Sequence, residues 1–448
     1  MTRETLHQSW EAARIYRGDP WALKHAELQA RLGELGARHP GLFTLLEEGR
    51  SGEGRAIPLL KLGSGPLRIL LWSQMHGDEP TATVALLDLL SHLGRTSGSA
   101  ATETLLSRLT LYLIPMLNPD GAERNERRNA QGIDVNRDAL RLVSPEGRFL
   151  KSVRDRYQPK LGFNLHNQSG LVLAGPGGEQ VALSVMSVPF DEAGTETDGR
   201  RTTKRLAVKV QELVAPWAAG RVARYDMEYT ARAFGDSMTR WGTPTLLLET
   251  GGWTGPDEDV ALVRLNFIAL LGALQSLADG SLAEVDPAAY ERLPVNSRDR
   301  LADLVLRRAT LLNGRGIPPF VGDVGFVRES RFAGSEPRRH RTVVVDVGDM
   351  DYAKGKQDVD ASAYVVTPAP AGGVASWPAV AAELSRQGLA SANGELTIDL
   401  EALSREVKAW AGGAVLRPGY AGDLLLFART PGGLRPVKAV TGGELKDL

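Results

Sequence analysis

An α/β fold, with a mostly parallel mixed sheet covered by helices, is the architecture predicted for residues 1–280, followed by a smaller C-terminal β domain. Three observations predict it. Short apolar runs alternate with helix-patterned segments through the first 280 residues, as in a sheet covered on both faces. The composition then shifts at SLAEVDPAAYERLPVNSR (281–298), which reads as a linker. Beyond it the runs are short, β-branched and bounded by turn residues, the pattern of a β domain over 299–448. The length of 448 residues fits two domains.

Taken in order, WALKHAELQARLGELGAR (21–38) has apolar residues at helical spacing. IPLLKLG (57–63) and LRILLWS (67–73) are apolar runs separated by GSGP and read as neighbouring strands. TATVALLDLLSHLG (81–94) is a helix stopped by Gly94. LTLYLIPML (109–117) is a buried strand ended by the turn signal NPDG. SPEGRFLKSVRDRY (144–157) is a helix with Ser144 as N-cap. LGFNLH (161–166) is a strand, 202–215 a helix, PTLLLET (244–250) a strand and 257–278 a long helix. In the second domain LADLVLRRATLLNG, VGDVGFV, RTVVVDV, SAYVVTP and DLLLFART read as strands, and PAGGVASW (370–377) as a loop.

Composition narrows the function classes. Hydrophobic residues make up 42% and charged residues 24%, ordinary for a globular chain with a sizeable core. Lys plus Arg is 53 against 54 Asp plus Glu, a net charge of -1, so nothing draws the whole chain to nucleic acid or an anionic membrane. Cysteine is absent, which excludes disulfides and leaves His, Asp and Glu as metal donors. The N-terminus is polar, and no run approaches the roughly 20 apolar residues of a membrane span. A cytoplasmic location is the expectation.

Of the seven His, His76 and His166 follow or end predicted strands. In α/β sheets, sites form at the C-terminal ends of strands. Glu79 lies three residues after His76, so HGDE can bring an imidazole and a carboxylate to one metal. His166 is the best-placed third donor, and a catalytic zinc keeps a further position open. Taken alone, H-x-x-E is a weak signal, and a lone His at a strand end is more often structural. Glu249, closing the apolar run TLLL, is costly to bury without a partner or a task.

Four pieces in order carry a specific resemblance. They are LLEEGRSGEGRAIPLLKLGSGPLRILLWSQMHGDE, IPMLNPDGAERNERRNAQGIDVNRD, FNLHNQ and TLLLETGG. Over roughly residues 20–280 the chain resembles the zinc metallocarboxypeptidases of peptidase family M14, in a bacterial branch where AFGDSM-x-x-WG precedes the Glu strand. The resemblance implies one Zn²⁺ per chain held by His76, Glu79 and His166, with Asp134 accepting a hydrogen bond from His76. It implies that Asn136 and Arg137 bind the substrate's terminal carboxylate. Arg127, with Arg128 as fallback, would stabilise the oxyanion, and Glu249 would serve as general base and acid. The residue-level alternatives are that AERNERRN is a solvated face and that Asn118, Asp120, Asp134 and Asn136 are turn residues.

Hydrolysis of the C-terminal peptide bond is the expected activity, on a peptide or small amide with a free carboxylate. The alternatives are a zinc amidohydrolase acting on small N-acyl amino acids or cell-wall peptides, and a non-catalytic scaffold on the same fold. No covering Tyr is assigned between Tyr225 and Tyr229. DLVLRRATLLNGRGIPPFVGDVGFV and RPGYAGDLLLF resemble the β-sandwich that accompanies amidohydrolase barrels, without the barrel. This implies an accessory domain without metal chemistry, which serves substrate access, pairing of copies into a homo-oligomer, or stability alone.

Overall fold

The computed structural model describes residues 3–226, 228–255, 257–297, 301–331, 338–391, 395–397 and 399–448. The chain forms two compact units, Met1–Arg298 and Asp299–Leu448.

The first unit is built on an eight-stranded sheet. Its strands are β1 (Thr44–Arg50), β2 (Ala56–Leu62), β3 (Leu67–Ser73), β4 (Leu109–Ile114), β5 (Leu161–Asn167), β6 (Leu183–Ser187), β7 (Val222–Arg224) and β8 (Thr245–Thr250). They lie in the order β1-β2-β4-β3-β5-β8-β6-β7. β3 pairs in parallel with both β4 and β5, and β5 in parallel with β8. β1 pairs antiparallel with β2, β2 with β4, and β6 with β8, which makes the sheet mixed.

The central strands carry apolar residues on both faces because helices cover both. Ile69, Leu71, Leu111, Leu113, Phe163 and Leu165 join the core of the long helices. Leu70, Trp72, Tyr112 and Ile114 join a second core with Leu150, Val153, Phe234 and Met238. This is how a parallel sheet hides its polar backbone from water.

Two sequence expectations are corrected here. Residues 281–297, expected as a linker, belong to the first unit. Leu282, Val285 and Tyr290 enter its core, and Asn296–Ser297 pairs with Leu173–Ala174. Turn residues in this stretch hid the apolar anchors. The helix Glu258–Asp279 is long and apolar enough to cross a membrane by composition, yet 78% of that apolar window is buried in the protein. It is a core helix, apolar all round because helices Thr81–Arg95 and Asp198–Ala218 pack against it.

In the second unit eight strands join one hydrogen-bonded sheet. Seven run in the order Arg339–Gly348, Phe320–Arg331, Leu301–Leu311, Tyr364–Pro368, Leu424–Thr430, Gly433–Thr441 and Glu444–Asp447. The eighth, Lys354–Asp360, pairs with Leu301–Leu311. Two helices, Trp377–Arg386 and Leu400–Trp410, were not expected; the first begins inside the stretch read as a loop. They seal one face of the sheet, where Trp377, Trp410, Leu425 and Phe427 meet. Leu424, Leu426, Val344 and Phe326 form a separate core on the other face.

Candidate active site

The site lies where β3, β5 and β8 end. After Ser73 the chain turns through Gln74 and Met75 to His76. The turn is closed by a hydrogen bond from the Glu79 N–H to the His76 carbonyl (3.2 Å), just before helix Thr81–Arg95. Gly77 is required in this turn. A Cβ there would come within 2.0 Å of the Gly121 carbonyl carbon. His166 sits near the end of β5, opposite Glu249 of β8 in the parallel register.

Two of the conspicuous motifs turn out to build the wall beside this turn. Asn118 caps the short helix Pro119–Arg124 through Gly121 N–H (2.9 Å). Asp120, fully buried, accepts from Ser51 Oγ (2.8 Å), Glu53 N–H (2.9 Å) and Arg55 Nη1 (2.6 Å). The RSGEGR and NPDG stretches are therefore one interlocked structure.

His76, Glu79 and His166 converge and are all buried, with candidate donor atoms within 4.8 Å of one another. His76 Nδ1 is 2.8 Å from Glu79 Oε1, and His166 Nδ1 is 2.6 Å from Glu79 Oε2. On its far side His76 Nε2 donates to Asp134 Oδ1 (3.1 Å), which fixes the tautomer with the Nδ1 lone pair facing inward. Arg127 reaches both Asp134 Oδ2 (3.0 Å) and Glu79 Oε1 (3.3 Å). Two imidazole nitrogens and a carboxylate suit a catalytic divalent metal, so the residues fit such an ion.

The electrostatics couple the cluster's carboxylates to its imidazoles and to Arg127. Burial opposes a charge on His76, but Glu79 and Asp134 outweigh it and raise its pKa to about 9. Burial pushes Glu79 up, yet the two facing imidazoles drive it well below the usual carboxylate range. Asp134 is likewise held low, against its burial, by His76 and Arg127. Burial lowers the pKa of His166, and Arg127 brings a permanent positive charge within 3.3 Å of Glu79 Oε1.

A cavity of about 280 Å³ opens beside this cluster. It is lined by His76, Glu79, Arg127, Asn136, Arg137 and Glu249 among others. The structure brings Glu249, 7% exposed, to the cavity wall. Arg127 lines the cavity, whereas its neighbour Arg128 does not and donates to the Gly132 carbonyl (2.9 Å). Asn136 caps the helix Phe234–Arg240: its Oδ1 accepts from Phe234 N–H (2.9 Å), so its amide nitrogen is the group left for a ligand. Arg137 donates one N–H to the Asn136 carbonyl (2.8 Å).

Sequence reasoning missed several lining residues. Asn164 lies two positions before His166 on the same face of β5, and Gln168 follows the strand. Asp236, pushed up to about 6 by burial, lines the wall too. The i, i+2 rule applied backwards from His166 would have found Asn164. Of the two Tyr left open, Tyr225 borders the cavity, against Met186 and Leu247.

Residues 28–244 match the model of a family described as zinc carboxypeptidase. Over these residues the first unit is similar to that family. This zinc carboxypeptidase match ends before Glu249, which the strand register places instead. Among curated relatives, carboxypeptidase 2 of Trichophyton tonsurans is 26% identical over 184 residues, covering 38% of this chain and 34% of the relative. Carboxypeptidase E of Caenorhabditis elegans is 30% identical over 141 residues, covering 26% and 30%. The chain thus spans about a third of the length of these relatives. A metallo-carboxypeptidase structure from Burkholderia cenocepacia aligns at 20% identity with a TM-score of 0.45, over 57% of this chain and 69% of that one.

Proposed function

We propose that the protein is a zinc-dependent metallocarboxypeptidase that removes the C-terminal residue of a peptide. The observation that carries this is the junction of a buried His-Glu-His cluster with Glu249 and Arg137 in one cavity. The cluster would hold Zn²⁺, which polarises the scissile carbonyl and acidifies water from a pKa of ~15.7 towards ~7.

The chain's own residues do the rest. Arg137, with the Asn136 amide, receives the terminal carboxylate of the substrate; a guanidinium suits a planar anion. This places the last peptide bond, rather than an internal one, against the metal cluster. Glu249 takes a proton from the attacking water and returns it to the leaving amine. Arg127 donates to the oxygen that becomes negative as the carbonyl is attacked. Asp134, by accepting from His76, keeps that imidazole in its ligating tautomer. The role of Arg137 also supports an exopeptidase over a scaffold, since a scaffold has no use for a carboxylate clamp beside a metal cluster.

The test combines elemental analysis with turnover of matched peptides bearing free or amidated C-termini. About one zinc per chain, with single-residue loss from the free-carboxylate peptides, is the expected result. Cleavage of amidated and free peptides alike would reject the exopeptidase reading.

A further inference from the structure

Gln74 stands two residues before His76 with a left-handed backbone, φ +51°. That conformation costs a residue with a side chain roughly 1–3 kcal/mol, and glycine or asparagine adopts it more easily. Gln74 is 1% exposed, and its backbone carbonyl accepts from Asn118 N–H (3.0 Å). Its side-chain amide is used at both ends. Nε2 donates to the Gly77 carbonyl (2.9 Å), and Oε1 accepts from Thr83 Oγ1 (2.9 Å).

Gly77 lies between His76 and Glu79, and Thr83 lies in the first turn of helix Thr81–Arg95. The amide therefore clamps the middle of the ligand turn onto the rigid helix that follows it. If the backbone alone mattered, glycine would hold the same turn with less strain. The strained glutamine makes sense only through what its side chain holds.

We propose that Gln74 is a positioning residue of the metal centre. By fixing the Gly77 carbonyl against Thr83 it sets the distance between the His76 and Glu79 donors. The inference rests on the zinc reading above. Groups that orient ligands from outside the coordination sphere commonly change metal affinity 10–100-fold when removed.

The experiment compares zinc affinity, by competition with a chromophoric chelator, in full-length wild type, Gln74→Gly and Thr83→Val. The melting temperature of each metal-stripped protein is measured alongside. Gln74→Gly keeps the left-handed backbone and loses the amide; Thr83→Val leaves the backbone untouched and removes the anchor. Both should bind zinc roughly tenfold or more weakly, with stripped proteins that melt within a few degrees of wild type. Affinities within twofold of wild type in both variants would reduce Gln74 to a turn residue and overturn the inference. The same holds if both stripped variants are unstable enough to account for the lost affinity. Wild type that takes up no zinc would instead overturn the metal reading itself, and this inference with it.

Discussion

Glu249 stands directly across from His166 in the parallel register of β5 and β8. Paired positions on neighbouring strands point to the same face of a sheet. The separation between the candidate base and a candidate ligand is therefore set by strand spacing, the stiffest ruler in the fold.

That geometry separates the two roles. Glu249→Gln should lower kcat by about 10²–10⁴-fold, the usual worth of a general base, while zinc stoichiometry stays at wild type. Loss of the metal in this variant would mean that Glu249 is a ligand.

His166→Ala removes a buried donor and should abolish stoichiometric zinc uptake. A ligand at 100 times its Kd stabilises a fold by about 2.7 kcal/mol. Zinc should accordingly raise the wild-type melting temperature and leave that of the variant unchanged. Equal shifts in differential scanning fluorimetry would remove His166 from the site.

Gly77→Ala tests the turn itself. The new methyl would meet the Gly121 backbone at 2.0 Å, and overpacking of this kind costs about 1–3 kcal/mol. Reduced chemical stability and weaker zinc binding should appear together. A variant with wild-type zinc affinity would show that the turn tolerates displacement from the helix Pro119–Arg124.

Arg137→Ala should raise KM for peptides with a free C-terminus by roughly tenfold or more, given about 1.5–3 kcal/mol for a hydrogen bond to a charged group. Amidated peptides should change little. Steady-state kinetics on one peptide pair decides it, and matching losses on both members would move the carboxylate site elsewhere.

Away from the active site, Asp88 makes a pH prediction. It is fully buried in helix Thr81–Arg95 and accepts from Trp10 Nε1 (3.0 Å) and Ile15 N–H (3.0 Å), fastening the N-terminal helix Arg3–Ala13. Burial pushes its pKa up to about 7 from an ordinary 3.8, against those hydrogen bonds and the nearby Arg14 and Arg17. Between about pH 4 and 7 the folded chain keeps a proton that the unfolded chain has released. Stability attributable to Asp88 therefore falls as pH rises through that window. Urea midpoints should decline less between pH 5 and pH 8 in Asp88→Asn than in wild type. Parallel declines would show that Asp88 is ionised throughout.

Legibility in the sequence followed burial. The LRILLWS strand is legible with its observed bounds because β3 is covered on both faces and its centre is an apolar run, ILLW. β1 (TLLEEGR) carries no clear strand pattern; only part of its surface is covered, and its charged residues mask the pairing with β2. β6 and β7 are short, and β6 pairs with the sequence-distant β8 on one side and β7 on the other, so no local pattern marks them. The loop reading of 370–377, drawn from its glycines, runs into the first residue of the helix Trp377–Arg386, where Trp377 packs edge-on against Trp410 and Phe427.

By itself the sequence determined the α/β alternation, the His-x-x-Glu turn, and the set of residues from which a metal cluster and a carboxylate clamp could be drawn. Those depend on local period and residue type, which the chain carries wherever it goes. Only the tertiary structure decided that His76 and His166 meet on one carboxylate and that Arg127 lines the cavity where Arg128 does not. It alone shows that Gln74, left-handed at φ +51°, ties the Gly77 carbonyl to Thr83 beside His76 and Glu79. Such contacts join residues far apart in the chain through sheet register and helix packing, and no local pattern encodes which of several chemically equal side chains the fold will turn inward.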